Sequence, residues 1–346
     1  MQVTGAGDHI PWYSRATLKH AYNSRAIIIA PDYPLGPEAN YHDICFALRD
    51  FLRFYRMDGC FLEEQEHWTE WLISQIKKKI TINRDNLFIE GESAGGHATI
   101  TALFDNARKA NKFKLPVKVV LLRYPMIKHY KRSPPLSEEI AFMGRKFTMK
   151  QIKEQAQDIT KQILEIETMQ IGDQTGFMRT RSKGFSPQYM WPAPVLSLSG
   201  QWQWMFQREH GAGALRPTKA TEVKNLDCLE RAKKMVDEVE HKFLPPIVMH
   251  HAPDDLNCPY DDTKVFKDRL HDYYPTQYPR KKDDKDTLTD ERVHLIPVTN
   301  LVEKDGKRDN PSTEVGHGYD YWQLDEPFIT MSYSHVKRYW PTGEVV

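Results

Sequence analysis

The chain has 346 residues, a length that can bury one large core with an added insertion. Its 48 basic residues almost balance its 47 acidic residues, so the formal net charge is only +1. This balance excludes the strongly basic surface typical of nucleic-acid-binding domains and gives no reason to expect attraction to anionic membranes.

Strands and helices alternate along the first third of the chain, as a parallel sheet with crossover helices requires. The sequence predicts an amphipathic helix over 11–22 and then a strand over 26–31. The next predicted elements are helices over 41–56 and 65–80, a strand over 87–91, a helix over 94–110 and a strand over 117–124.

The alternation stops after this strand and resumes near residue 245. The interruption includes a polar helical stretch over 148–167 and a stretch rich in Met, Phe, Tyr and Trp over 178–204. We interpret residues 129–225 as a cap inserted between two parts of a core domain, 1–128 and 226–346. The later predicted elements are a strand over 245–251, a helix over 261–274, a strand over 293–298 and a closing helix over 325–339.

The segment Gly91-Glu92-Ser93-Ala94-Gly95 connects a predicted strand to a predicted helix. In this setting a G-x-S-x-G serine stands on a tight turn, and the glycines remove the side chains that would crowd it. The N–H of Ala94 lies at a helix N-terminus, where negative charge is stabilised. Ser93 is therefore the predicted nucleophile and Ala94 the predicted oxyanion donor. The alternative is a glycine-rich turn without chemistry.

A serine hydroxyl needs a histidine base and a carboxylate that orients the histidine. Asp254 and Asp255 follow the predicted strand over 245–251, and His317 lies between two glycines after the last predicted strand. The carboxyl ends of parallel strands meet at one edge of a sheet, so these side chains are expected near Ser93. Chemistry alone does not separate Asp254 from Asp255.

We expect no direct part in the chemistry for three other histidines or for the cysteines. His250 and His251 end a strand, where packing or supporting roles are expected, and His97 is expected to pack or cap the helix beside the turn. None of the cysteines has metal-ligand spacing, so free thiols are expected, with no metal and no cofactor. The four cysteines are Cys45, Cys60, Cys228 and Cys258.

The aromatic residues of the predicted cap are candidates for a substrate pocket. An apolar cap over the nucleophile favours an acyl or aromatic substrate over a sugar or nucleotide. The alternative is that these rings only pack the cap against the main domain. The candidate pocket residues are Glu92, Tyr189, Trp191, Trp202 and Trp204.

Four motifs occur in one order along the chain: Asp32-Tyr33-Pro34-Leu35-Gly36-Pro37-Glu38, then Gly91-Glu92-Ser93-Ala94-Gly95-Gly96, then Asp254-Asp255 with Pro259, and finally Gly316-His317-Gly318. Together they resemble the alpha/beta hydrolase fold-3 carboxylesterases, the hormone-sensitive-lipase-like branch of the α/β-hydrolases, and especially the fungal members. The resemblance covers about residues 3–335 and is weaker between 130 and 240. Arginine is usual in the family where Pro34 stands here.

The resemblance implies an α/β-hydrolase fold, with a mostly parallel sheet flanked by helices and a helical cap. In related esterases the triad aspartate stands four residues before a proline, which selects Asp255. The family carries an H-G-G-G segment before a V-T-G, and Val3-Thr4-Gly5 here resembles the V-T-G. The histidine, the glycines and the first three strands of the family sheet would then precede Met1.

Two explanations of this difference stay open, and we favour the first. Either the start of the gene has been assigned too far downstream, or the protein is a shortened paralogue with impaired chemistry. The H-G-G-G segment supplies part of the oxyanion hole in the family, and Gly5 is a candidate substitute donor.

The function that follows is hydrolysis of a hydrophobic carboxylic ester through an acyl-enzyme, with Ser93 as nucleophile, His317 as base and Asp255 orienting the base. We expect a cytoplasmic monomer or homodimer that has no membrane span and binds a small-molecule ester but no nucleic acid. The alternatives are a non-hydrolytic cyclase, lyase or ligand-binding protein of the same fold, and an inactive truncated gene product.

Overall fold

The computed structural model describes residues 13–36, 38–57, 83, 85–128, 139–142, 145–170, 192–210, 226–255, 257–280, 292–299, 301, 315–320 and 323–340. Its strands are β1 (Leu87–Glu92), β2 (Val117–Arg123), β3 (Glu139–Phe142), β4 (Arg145–Thr148), β5 (Ile247–His251) and β6 (Val293–Pro297). Strands β1, β2, β5 and β6 form one parallel sheet in that order, and β3 pairs with β4 in a separate antiparallel hairpin.

Helices cover both faces of the parallel sheet. They are α1 (Arg15–Asn23), α2 (Tyr41–Met57), α3 (Ser93–Ala107), α4 (Met149–Gln170), α5 (Pro192–Ser199), α6 (Trp202–Gln207), α7 (Cys228–Lys234), α8 (Tyr260–Tyr273) and α9 (Pro327–Tyr339). None of these helices is long and apolar enough to cross a membrane.

Strand β2 shows why both faces are covered. Successive side chains of a strand point to opposite faces, and five of the seven residues of β2 are apolar. Val119 and Leu121 pack in a cluster with α1 and α9, whereas Val120 and Leu122 pack in a second cluster with α3, α7 and α8. The sheet is therefore a buried central layer, and its carboxyl edge is where connecting loops can carry functional side chains.

Side chains at the helix starts explain several of the boundaries. Before α2, the N–H of Asn40 donates to the Asp43 carboxylate (2.7 Å), and the N–H of Asp43 donates to the Asn40 side-chain oxygen (3.1 Å). This reciprocal pair satisfies two amides that the helix cannot. Asp227 accepts from the N–H groups of Leu229 and Glu230 at the start of α7.

Most predicted elements are confirmed to within a few residues, and one is wrong. The segment over 26–31 contains no strand, and its Ile27, Ile28 and Ile29 side chains are 48%, 41% and 40% exposed. A strand is stable only beside a hydrogen-bonded neighbour, and the four-stranded sheet does not include this segment. The helix predicted over 65–80 lies outside the described residues.

Helices α4, α5 and α6 fall within the predicted cap, and they share a core with helix α2. Apolar side chains of these three helices and of α2 form one buried cluster that also contains Ala98 of α3. Helices α4, α5 and α6 are thus joined to α2 by continuous apolar packing. The boundaries predicted for the cap, 129–225, stay a prediction. The members from the inserted helices include Ile152, Ile159, Ile163, Val195, Leu196, Met205 and Phe206.

A group of charged residues, which we call the latch, joins α4 and the residues after α6 to the start of α2. It consists of Asp43, Glu167, Arg208 and His210. The fully buried Arg208 guanidinium donates to Glu167 of α4 (3.0 Å) and to the carbonyl of Glu38 (2.9 Å). His210 lies 2.8 Å from both Glu167 and Asp43. Burial disfavours the charged imidazole, but hydrogen bonds to Asp43 and Glu167 outweigh it and raise the pKa of His210 to about 9.

We predict that His210 stabilises the fold in acid and neutral solution but not in strong base. Because its folded-state pKa is raised, its contribution is complete below the unfolded value near 6.5 and is lost as pH rises through about 9. His210→Gln should lower the free energy of unfolding by about 1–2 kcal/mol at pH 6, allowing for screening of the partly exposed ring, and by much less at pH 10.

Chemical denaturation at both pH values measures the effect, and Asp43→Asn serves as the partner variant. The double variant should be destabilised by less than the sum of the two single variants, because both changes remove the same His210–Asp43 contact. A loss in His210→Gln that is equal at the two pH values would contradict this account.

Candidate active site

Ser93 stands on a strained turn between β1 and α3. Its φ of +47° lies in the left-handed region, which costs free energy for any residue other than glycine. The turn is closed by close approach of its neighbours: a Cβ on Gly96 would lie 2.7 Å from the Cβ of Pro125, and one on Gly91 would lie 2.7 Å from the Gly95 carbonyl oxygen. Only glycine fits at these two positions, so the sequence holds the serine at the sheet edge.

The structure brings together three of the side chains that the sequence singles out. The Ser93 hydroxyl lies 3.0 Å from Nε2 of His317, and Nδ1 of His317 lies 2.7 Å from Oδ2 of Asp255. If Nδ1 donates to the carboxylate, Nε2 is left as an acceptor for the serine proton. A hydroxyl, an imidazole and a carboxylate are thus linked in series by hydrogen bonds, the geometry that a nucleophile, a base and an orienting carboxylate would require.

The Asp255 carboxylate is buried and accepts hydrogen bonds on both oxygens. Oδ1 accepts from the backbone N–H groups of Asn257 (2.8 Å) and Cys258 (3.0 Å), and Oδ2 faces His251 (3.2 Å) as well as His317. Burial by itself raises the pKa of Asp255, but the hydrogen bonds from His251 and His317 outweigh burial and hold this pKa well below its usual range. The group is therefore a carboxylate at neutral pH.

His251 is a second partner of Asp255 that sequence reasoning placed only among supporting residues. Its Nε2 faces two acceptors, the carboxylate of Asp255 and the carbonyl of Cys258 (2.7 Å), while Nδ1 lies 2.9 Å from the hydroxyl of Thr263. Both partners of Nε2 are acceptors, so this nitrogen is a donor. The signal in the sequence is the i to i+4 spacing across the turn that follows β5.

Asp254 has a different partner from its neighbour. Its carboxylate accepts from the backbone N–H groups of Val315 (2.6 Å) and Gly316 (3.1 Å), at the start of the segment that carries His317. Gly316 has a φ of +70°, a value that a residue with a Cβ rarely adopts. Asp254 therefore binds the backbone of the histidine segment, whereas Asp255 binds the imidazole.

The remaining candidates lie in several environments. Ala94 follows Ser93 in the first turn of α3, where backbone N–H groups have no partner within the helix. The Glu92 carboxylate binds the guanidinium of Arg123. Trp202 is 3% exposed and stacks on Phe206, while Trp204 is partly buried against the core shared with α2. Three further candidates, Gly5, Tyr189 and Trp191, lie outside the described residues.

The buried His97 links α3 to the chain that returns from the insertion. Its Nε2 lies 2.6 Å from the Leu226 carbonyl, and Nδ1 lies 3.4 Å from the Tyr41 hydroxyl, so it packs beside the turn as expected. Cys45, Cys228 and Cys258 are buried thiols, whereas Cys60 lies outside the described residues. No three His, Cys, Asp or Glu side chains among the described residues are grouped so that they could hold a metal ion.

A family model described as "alpha/beta hydrolase fold" matches residues 6–167, a stretch that includes β1, Ser93 and α3. A serine on a strained turn between a parallel strand and a helix is the nucleophile arrangement of that fold. The chain has an α/β-hydrolase fold. The fold class expected from the sequence is thereby confirmed. No curated protein matches the chain at a significant level of sequence similarity.

Several solved structures superpose partially on this α/β-hydrolase chain. Esterase B from Lactobacillus rhamnosis, inhibited with a tributyrin phosphonate, is 13% identical with a TM-score of 0.38, and the match covers 88% of this chain and 62% of that one. A thermophilic esterase from Thermogutta terrifontis is 12% identical with a TM-score of 0.36, covering 89% and 67%. A Staphylococcus aureus protein of unknown function is 13% identical with a TM-score of 0.39, covering 89% and 75%. The chain therefore spans less than two thirds of the length of the esterase B chain.

The two neighbouring aspartates should differ sharply when each is changed to asparagine. Asp255→Asn removes the charge that holds the His317 ring and should lower kcat by roughly 10³- to 10⁴-fold. Asp254→Asn keeps one oxygen to accept a backbone N–H and should lower kcat by about 10-fold or less. Ester hydrolysis by both purified variants, with folding checked by circular dichroism, measures the ratio. The reverse ranking would overturn the assignment of roles.

Proposed function

We propose that this protein is a serine hydrolase of the alpha/beta hydrolase fold-3 family that cleaves a carboxylic ester through an acyl-enzyme. The observation that carries the proposal is the hydrogen-bonded series from Ser93 through His317 to Asp255, with distances of 3.0 and 2.7 Å. Its position at the carboxyl edge of a parallel sheet, on the strained turn of an α/β-hydrolase fold, supports the same function.

Acylation begins when Ser93 attacks the ester carbonyl and His317 takes the hydroxyl proton at Nε2. The imidazolium that forms is stabilised by the Asp255 carboxylate, which already holds Nδ1 and therefore needs no reorganisation. The oxyanion of the tetrahedral intermediate accepts a hydrogen bond from the Ala94 N–H at the N-terminus of α3. A second donor, for which Gly5 is our candidate, completes this site.

The proton on His317 then passes to the alcohol oxygen as the carbonyl–alcohol bond breaks, which leaves Ser93 acylated. Water repeats the sequence in the second half: His317 takes a proton from the water, the hydroxide attacks the acyl carbonyl, and the proton returns to Ser93 as the acid leaves. Every proton transfer uses Nε2 of His317, so this one ring must face both the serine and the leaving oxygen.

The substrate class is a hydrophobic ester. Ala94, Trp204 and Tyr33 are partly buried against the apolar cluster that the inserted helices share with α2, so apolar surface lies close to the nucleophile turn. Uncharged walls of this kind suit an acyl chain or an aromatic group. Trp204, which packs against this cluster, is one of our candidate pocket residues. The full set of candidates is Glu92, Tyr189, Trp191, Trp202 and Trp204.

The wild-type protein should hydrolyse p-nitrophenyl esters, and Ser93→Ala should lower kcat by roughly 10⁴-fold or more, because it removes the nucleophile. Initial rates on acetate, butyrate and octanoate esters provide the measurement and report the preferred acyl length. Ser334→Ala is the matched control: the exposed Ser334 hydroxyl donates to the Thr330 carbonyl within α9, so this variant should keep full activity.

Two results would contradict the proposal. Hydrolysis that persists in Ser93→Ala would assign the chemistry to other groups. Tight binding of an ester by folded wild-type protein, without any turnover or acyl intermediate, would favour a non-hydrolytic protein of the same fold.

A further inference from the structure

A buried arginine at the end of β2 lies among three carboxylates beside the site. The Arg123 side chain is 6% exposed, and its Nε lies 2.8 Å from Glu90. One terminal nitrogen donates to Asp320 (2.7 Å), and the other donates to Glu92. These contacts join the carboxyl ends of β1 and β2 to the segment over 315–320. We call Glu90, Glu92, Arg123, Tyr124 and Asp320 the Arg123 cluster.

Two members of the Arg123 cluster are close in sequence to Ser93 and His317. Glu92 directly precedes Ser93, and Asp320 follows His317 by three residues. The hydroxyl of Tyr124 donates to Oδ1 of Asp320 (2.8 Å), while its ring lies edge-on to the His317 imidazole with 4.7 Å between the ring centroids. One side chain thus holds the carboxylate and fixes the plane of the imidazole.

The His317 segment needs such support because of its own composition. His317 lies between Gly316 and Gly318, whose φ angles are +70° and +73°. Neither glycine has a side chain, so the immediate neighbours of His317 do not restrain its imidazole. Asp254 binds the backbone at one end of this segment, and Asp320 anchors the other end to Arg123. The ring is therefore held from both directions.

Stability alone does not account for the cluster. Burying a guanidinium with three carboxylates carries a large desolvation cost, and apolar side chains of similar volume would stabilise a core at least as well. Burial also keeps His250, which lies 3.7 Å from Asp320, uncharged by lowering its pKa to about 4. Arg123 is therefore the cation that balances Asp320 in neutral solution.

We propose that Asp320, held by Arg123 and Tyr124, is a positioning residue that keeps the His317 imidazole aimed at Ser93. The inference rests on the proposed hydrolase function and adds a residue to it. Asp320 touches neither substrate nor reacting atoms, and it acts through the segment that carries the base. A ring displaced by about 1 Å loses roughly 100-fold in rate, which sets the scale of the effect.

The test compares Tyr124 and Tyr319, two buried tyrosines whose hydroxyl groups bind different side chains. Tyr124→Phe removes the hydroxyl that binds Asp320 but keeps the ring against His317, and it should lower kcat about 10-fold with KM unchanged. Tyr319→Phe removes a hydroxyl on the same segment that lies 2.8 Å from His250, and it should change kcat less than 3-fold. Asp320→Asn should lower kcat roughly 100-fold, and Asp320→Glu should recover part of that loss.

Rates are measured on p-nitrophenyl butyrate per folded molecule, with thermal unfolding of each variant recorded alongside. A purely structural role would lower the unfolding temperature but leave kcat of the folded fraction unchanged. If Asp320→Asn does not fold, Tyr124→Phe decides the question, and wild-type kcat in that variant overturns the inference. Wild-type hydrolysis that Ser93→Ala abolishes, together with unaffected kcat in Tyr124→Phe, overturns this inference alone. Folded wild-type protein without hydrolysis overturns the proposed function and the inference with it.

Discussion

One carboxylate, that of Asp255, accepts hydrogen bonds from two histidines and two backbone amides at the carboxyl edge of the sheet. Its burial makes these bonds strong, and the bonds in turn make a buried charge tolerable. The loop after β5 supplies the amides, His251 ends the strand itself, and His317 comes from a distant segment. The geometry of the site therefore depends on this single acceptor, because each partner is fixed relative to the others through it.

Two groups of buried charges support this arrangement at different distances. The Arg123 cluster is next to Ser93 and His317, and its ion pairs join β1 and β2 to the segment over 315–320. The latch lies farther away and joins α4 and the end of α6 to the start of α2. A buried arginine bonds to several acceptors in each group, and its planar fork fixes the direction of every bond. Apolar packing would fill the same volumes but would not specify these directions.

The sequence predicted the fold class and singled out Ser93 and His317 because local rules govern them, whereas only the family resemblance selected Asp255. A serine between glycines after an apolar strand, and a histidine between glycines after a later one, are visible without any tertiary information. Asp255 could not be separated from Asp254 by chemistry, since the difference depends on which of them faces the imidazole and which faces the backbone of Val315 and Gly316.

The sequence contains no comparable signal for the ion pair between Arg123 and Asp320. Arg123 and Asp320 are 197 positions apart, and a charged residue at the end of an apolar strand is usually solvated. The strand predicted over 26–31 failed for a related reason, because a run of isoleucines has strand propensity but pairing depends on a neighbouring strand. Local pattern thus singled out the serine and the histidine of the hydrogen-bonded series, whereas long-range pairing determined what surrounds them.

Activation of Ser93 by His317 can be tested by the intact mass of the protein after treatment with a fluorophosphonate. An unactivated serine hydroxyl does not react with this reagent at a useful rate, whereas a serine paired with a histidine base does. We expect one adduct per chain, located on the peptide that contains Ser93 and absent from both Ser93→Ala and His317→Ala. Folded protein that gains no adduct, or gains one on another residue, would contradict the activation of Ser93 by His317.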